Sequence, residues 1–201
     1  MTLNLSDYHL ANSSTASYLS RSFNIEPPKE RMMPGVPRYQ TQSDRFKTAL
    51  DCDEVYPGIV IGSGETMRNV KYLQKLGVTH VLNMAENDVN VSSQRYSKAG
   101  ICYKGYRIKD LPQEDISATF DECVRFMDRA LCSRMGLVYV GCLLGYSRSA
   151  TVVAAYLMLK QNMSASEALG LMRRSREVHP NMGFLHQLGN LDNSLRRSRH
   201  R

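Results

Sequence analysis

One stretch, VYVGCLLGYSRSATVVAAYL from Val138 to Leu157, constrains the fold more than any other part of the chain. An unbroken apolar run over 137–140 ends at Gly141-Cys142; after a short loop come Arg148, Ser149 and an apolar segment of helical character. Continuous apolarity in so short a run predicts a strand buried on both faces. A strand, a glycine-containing loop and a helix in that order are the junction at which α/β proteins bind ligands, at the carboxyl end of the strand.

The flanking sequence supplies the rest of such a domain. Val55, Ile59, Val60 and Ile61 predict an early strand ending at Gly62, and 67–76 predicts a helix. The β-branched run VTHVLNM over 78–84 predicts a buried strand, and 101–108 another. Over 116–131, Phe120, Cys123, Val124, Met127 and Leu131 recur at spacings of three and four, so one helix face is apolar and Cys123 belongs to the core. Ser164 with Glu167 forms a capping box opening a helix toward Arg176, Pro180-Asn181 ends it, and Phe184, Leu185, Leu188, Leu191 and Leu195 stripe a last helix. Strands alternating with helices predict an α/β domain whose central, mostly parallel sheet is flanked by helices. Residues 1–50, punctuated by Pro27-Pro28, Pro34 and Pro37, read as a mobile extension with room for a short helix over 43–50. Residues 51–197 read as the folded domain and 198–201 as a basic tail.

Composition excludes several classes of function. The five cysteines (Cys52, Cys102, Cys123, Cys132, Cys142) include no CxxC pair, which argues against a disulfide framework and a zinc site and suits a reducing compartment. No metal or other cofactor is expected. The start, MTLNLSDYHLANSS, lacks the basic and greasy regions of a secretory signal, and the apolar run 150–159 is too short to cross a bilayer. The expectation is a soluble cytosolic or nuclear protein that does not engage a membrane. Much of the net charge of +7 sits in the closing RRSRHR, which suits either an acidic partner or, more simply, the negative end of a helix dipole. Nucleic acid is not an expected partner, because no groove of interleaved basic and aromatic residues can be read from the chain.

The loop itself carries chemistry. Main-chain N–H groups of Leu143, Leu144, Gly145, Tyr146 and Ser147, with a helix dipole behind them, form an anion cradle, and Gly145 lets the backbone approach closely. Arg148 supplies a planar fork for two phosphate oxygens. Cys142 then lies at the bottom of an electropositive bowl, the setting of a thiolate nucleophile. A thiolate beneath a clamped tetrahedral dianion is equipment for phosphoryl transfer.

This segment resembles the signature of cysteine-dependent protein tyrosine phosphatases, and GYSRSAT resembles the small, VHR-like atypical dual-specificity phosphatases. The resemblance runs from about Asp51 to Arg197 through DEVYPGIVIG, LQKLGVTHVLN, KDLPQEDIS, AYLMLKQNMS and PNMGFLHQLGNLD. It implies a compact phosphatase domain and metal-free hydrolysis of phosphotyrosine and phosphoserine/threonine in phosphorylated proteins, with MAP kinases among the candidate partners. No kinase-docking segment of clustered basics and spaced aliphatics is visible in residues 1–50. By the resemblance, Cys142 is the nucleophile, Arg148 the phosphate clamp and Ser149 the hydroxyl assisting departure of the thiolate. Asp110 is the general acid, with Glu114 and Asp115 as nearby rivals and Asp115 also suited to capping the helix that follows. Arg176 corresponds to a basic residue that recognises a second phosphate; by position alone it could equally be a solvent-facing helix arginine.

Two departures carry expectations of their own. The family has histidine immediately before the nucleophile, whereas this chain has Gly141, which is expected to weaken activation of Cys142 and slow turnover. No other histidine compensates by position: His80 falls in a strand, His186 on a helix, His179 beside Pro180, and His9 and His200 in the tails. Leu143 and Leu144 stand where close relatives carry more polar residues, which argues against inositol-lipid substrates, whose phosphatases use loop lysines. A working protein phosphatase is the leading reading. A pseudophosphatase that binds phosphorylated partners or scaffolds kinases is the alternative; an RNA 5′-phosphatase is a distant third.

Overall fold

The structure, a computed structural model, describes residues 50–199. The helix expected over 43–50 lies almost wholly outside these residues. Strands β1 (Cys52–Tyr56) and β2 (Ile59–Gly62) pair antiparallel. The sequence pattern predicts one strand here, but Pro57 and Gly58, the latter at φ +79°, turn the chain back on itself. The single helix predicted over 67–76 is likewise two, α1 (Gly64–Arg68) and α2 (Val70–Lys75). Asn69 ends the first and caps the second by accepting from Tyr72 N–H.

Strand β3 (His80–Asn83), helix α3 (Ser93–Lys98) and strand β4 (Cys102–Gly105) follow. A 3₁₀ turn (Ser117–Thr119) leads into helix α4 (Phe120–Leu131), whose Phe120, Cys123, Val124, Met127 and Ala130 are buried. Asp115 caps this entry, its carboxylate accepting from Ser117 Oγ and Ala118 N–H. Next come β5 (Val138–Gly141), α5 (Arg148–Lys160), α6 (Ala165–Arg173) and α7 (Met182–Arg199). Ser164 and Glu167 close the capping box of α6. Helix α7 runs past the tail boundary drawn at 198, with Arg196 paired to Asp192 one turn earlier.

The sheet order is β1-β2-β5-β3-β4, with β5 parallel to both its neighbours and every pair parallel except β1 with β2. This mostly parallel sheet, flanked by helices, is the expected α/β architecture. Every residue of β5 is buried, which explains its lack of alternation. Helix α5 is buried on nearly all sides, from Arg148 to Met158, and a fully buried valine or leucine there contributes about 1.5–3 kcal/mol. The central strand and the most buried helix therefore hold the loop 142–147 from both ends. Leu143 C=O accepts from Gly64 N–H, and Gly141 C=O from Met84 N–H, so the loops after β2 and β3 close in on either side.

Candidate active site

Of the five cysteines, two buried ones are chemically quiet. Burial pushes the Cys123 thiol up to about 11 and the Cys52 thiol up to about 12, and neither faces the loop after β5. Cys142 is just as buried, with 2% of its surface exposed, but lies at the loop after β5. Its Sγ accepts from Gly145 N–H at 3.3 Å and lies 3.3 Å from Ser149 Oγ on the first turn of α5. Gly145 permits this with φ +73°; a Cβ there would also lie 2.7 Å from both the Arg176 guanidinium and the Gly62 main chain.

Arg148 heads α5 with 3% of its side chain exposed. Its Nη1 donates to the Asp88 carboxylate and, at 2.8 Å, to Ile108 C=O. Its Nε is buried without a hydrogen-bond partner and stands 3.6 Å from Asp110 Oδ2. A guanidinium held by one terminal nitrogen, with a buried N–H left to donate, is arranged to receive an anion.

Asp110 Oδ1 accepts from Ser147 Oγ at 2.7 Å and from Asn181 Nδ2 at 2.8 Å. Its other oxygen, Oδ2, is the one turned toward the Arg148 Nε. Asn181 in turn accepts from Phe184 N–H and thereby caps α7. One residue into that helix, a Cβ on Gly183 would lie 1.8 Å from Pro112 O, so the Asp110 loop rests directly on the Gly183 backbone. Gln187 completes the seat, donating to Glu114 C=O and accepting from Ser117 N–H. The structure thus brings Cys142, Arg148, Ser149 and Asp110 together through Ser147, and turns Glu114 and Asp115 to main-chain anchoring and capping.

Residues 59–194 match the family model described as dual specificity phosphatase, catalytic domain. The chain belongs to the dual-specificity phosphatases. It is 41% identical over 151 residues to mouse dual specificity protein phosphatase 26, covering 75% of this chain and 72% of that protein, and 40% identical to the human form over the same span. Among solved structures, human tyrosine phosphatase-like serine/threonine/tyrosine-interacting protein aligns with TM-score 0.63 at 30% identity, over 72% of this chain and 97% of that one. Human DUSP28 aligns with TM-score 0.64 at 26% identity, over 72% of this chain and 95% of that one. This dual-specificity phosphatase is a hydrolase acting on phosphoproteins.

Two sequence expectations change against the geometry. Arg176 faces neither solvent nor a second phosphate. Its side chain is 2% exposed and pairs with Asp51 at 2.7 Å and Asp53 at 2.8 Å on and beside β1. Its Nε and Nη2 donate to the carbonyls of Gly145 and Leu144, and its Cζ lies 5.4 Å from the Tyr146 ring centroid. Burial alone would make the guanidinium easier to deprotonate; the two carboxylates outweigh it and hold the charge. Arg176 is a tie-bar behind the loop, turning two carbonyls outward so that the amides face the cradle. Leu143 and Leu144, between Cys142 and that tie, are exposed.

At Gly141 the departure from the family is built into the packing. A Cβ there would lie 2.9 Å from Tyr139 Cε1 and 3.0 Å from Met67 Cε, so the thioether fills the space where an imidazole would begin. The described histidines do not replace it. His80 bonds to Thr79 and packs edge-on against Phe126, the His179 ring pairs with Glu177 while its N–H supports Tyr146 C=O, and His186 lies on α7.

The sequence gives no role to Asp88, Asn181, Gly183 and Gln187. For Asn181 a signal exists, since Asn three residues before Phe184 at the start of an apolar stripe is a helix N-cap pattern. Asp88 has none: it meets Arg148 across 60 residues of chain.

Proposed function

We propose that this phosphatase hydrolyses phosphotyrosine and phosphoserine/threonine in proteins through a cysteinyl-phosphate on Cys142, without a metal. The observation that carries this reading is the convergence of the Gly145 N–H and the Ser149 hydroxyl on Cys142 Sγ, at the head of the helix whose first residue, Arg148, keeps a buried Nε–H without a hydrogen-bond partner. The thiolate attacks phosphorus as the bond to the substrate oxygen breaks. Arg148 and the loop amides hold the phosphoryl oxygens, and Asp110 gives a proton to the departing oxygen. Asp110 then takes a proton from water, the water oxygen attacks phosphorus, and Ser149 donates a hydrogen bond to the sulfur as it leaves. MAP kinases are candidate substrates through the family resemblance. The pseudophosphatase alternative draws on Gly141, where Met67 stands in the imidazole's place.

Trapping separates the two. Acid quenching during turnover of a radiolabelled phosphopeptide in EDTA is expected to leave label on the peptide containing Cys142. Label on another residue, or no label and no phosphate release, would reject the hydrolytic reading.

The acid is tested with leaving groups. Asp110→Asn is expected to slow phenyl phosphate turnover by about 100-fold while costing little for an aryl phosphate whose oxygen needs no proton. Gly183→Ala is expected to show the same leaving-group dependence, because its methyl group must push the Asp110 loop off α7, and a misplacement of about 1 Å costs on the order of 100-fold. Alanine favours a helix over glycine by roughly 1 kcal/mol, so a loss cannot come from helix propensity. Equal losses for good and poor leaving groups in either variant would make its role structural.

A further inference from the structure

Among the described residues five large hydrophobic side chains are exposed, and four of them lie within two residues of Cys142, Asp110 or Asn181. Leu143 (45% exposed) and Leu144 (58%) follow the cysteine, Leu111 (42%) follows Asp110, and Met182 (44%) follows Asn181. The three loops are tied together where Asp110 Oδ1 accepts from Ser147 and Asn181, so these side chains belong to one mouth. Single exposed leucines are ordinary on any surface, but four apolar side chains on segments joined at one carboxylate are not. They contribute little to the core, since each keeps two-fifths or more of its surface in water.

The charges nearby point the same way. Arg176, the cation expected to meet a second phosphate, is buried behind the loop and committed to Asp51, Asp53, Leu144 and Gly145. Asp88 remains 37% exposed beside Arg148, where its carboxylate disfavours acidic neighbours of the phosphorylated residue. A peptide whose phosphoryl group reaches Cys142 carries its next residues across this rim, at about 3.3 Å per residue of extended chain.

We infer that the mouth selects a polypeptide segment bearing a single phosphate flanked by aliphatic or aromatic side chains, over acidic or doubly phosphorylated segments. This rests on the hydrolytic reading above and names its substrate class. A membrane surface fits the rim less well, because the Asp88 carboxylate repels anionic lipid.

The test uses the full chain and four phosphotyrosine peptides that differ in their flanks: leucine and valine, serine, glutamate, or serine with a second phosphate two residues away. The kcat/KM for the aliphatic peptide is expected to exceed that for the serine peptide about tenfold, as partial burial of two leucine-sized side chains allows, with the other two slower still. Leu143→Ser combined with Leu144→Ser should bring the ratio of the first two close to one. Because the ratio is internal to each protein, a general loss of turnover does not obscure it. A wild-type ratio of one, a ratio unchanged in the double variant, a preference for two phosphates, or faster release from vesicles containing a phosphoinositide than from any peptide would overturn the inference. If no peptide is hydrolysed, the hydrolytic reading fails by itself. The dissociation constants of the same peptides then decide the rim: a tenfold preference for the aliphatic peptide supports it and equal affinities reject it.

Discussion

Cys142→Ser is expected to lose phosphate release from every substrate by roughly 10⁵-fold or more, the scale on which an enzyme loses its nucleophile. A serine hydroxyl at this position has Gly145 N–H and Ser149 Oγ beside it but no base to take its proton, so it remains un-ionised near neutral pH. Arg148, the loop amides and the apolar rim all survive the substitution. Phosphopeptide binding should therefore persist while turnover vanishes, making the variant a substrate trap. Calorimetric titration with a phosphopeptide, alongside a release assay on both proteins, checks the pair of outcomes. Turnover retained in Cys142→Ser would place the nucleophile elsewhere; binding lost with turnover would mean that the oxygen disturbs the cradle.

Arg176→Met is expected to destabilise the domain by about 3–5 kcal/mol, because it removes the buried cation that faces Asp51 and Asp53 and releases two loop carbonyls. Asp53 is 1% exposed, so little water reaches its carboxylate once the guanidinium is gone. Urea titration measures the loss. Arg176→Met with Asp53→Asn should recover part of it, since removing both partners of a buried pair costs far less than removing one. Arg176→Lys should be intermediate, keeping the charge while losing the fork that spans Asp51, Asp53 and the loop. Unchanged stability in Arg176→Met, with KM rising for a doubly phosphorylated peptide alone, would return Arg176 to the substrate-facing role suggested by sequence.

That misplacement shows what a linear reading can and cannot reach. Cys142, Gly145, Arg148 and Ser149 were legible because one strand, one loop and one helix carry them in a row, so spacing along the chain stands in for distance in space. The α/β class was legible for the same local reason, but the sheet order and helix α3 were not, because strand neighbours are set by long-range pairing. Arg176 could be matched to a residue type but not to an environment, because its partner Asp51 lies 125 residues earlier. Asp88, Gly183 and Gln187 share that difficulty. Each acts through a contact made by the folded chain, and in the case of Gly183 through the absence of a side chain. The hairpin at Pro57-Gly58 was missed differently: the apolar residues on its two sides read as one run, although the turn residues stood in plain view.

Met67 and Gly141 have a consequence for how such a chain can change. Met67 is fully buried, and shortening it to alanine beside an unaltered Gly141 leaves a cavity that costs about 2–5 kcal/mol. Placing histidine at 141 beside an unaltered Met67 sets its Cβ 2.9 Å from Tyr139 Cε1 and 3.0 Å from Met67 Cε, so the ring and the thioether both have to shift. Either order of the two substitutions passes through a less stable protein, although the pair together exchanges a thioether for an imidazole of comparable bulk. The glycine is thus held by a valley on both sides. A lineage or an engineer seeking histidine there has to cross it in one stride, or shore up the domain elsewhere beforehand.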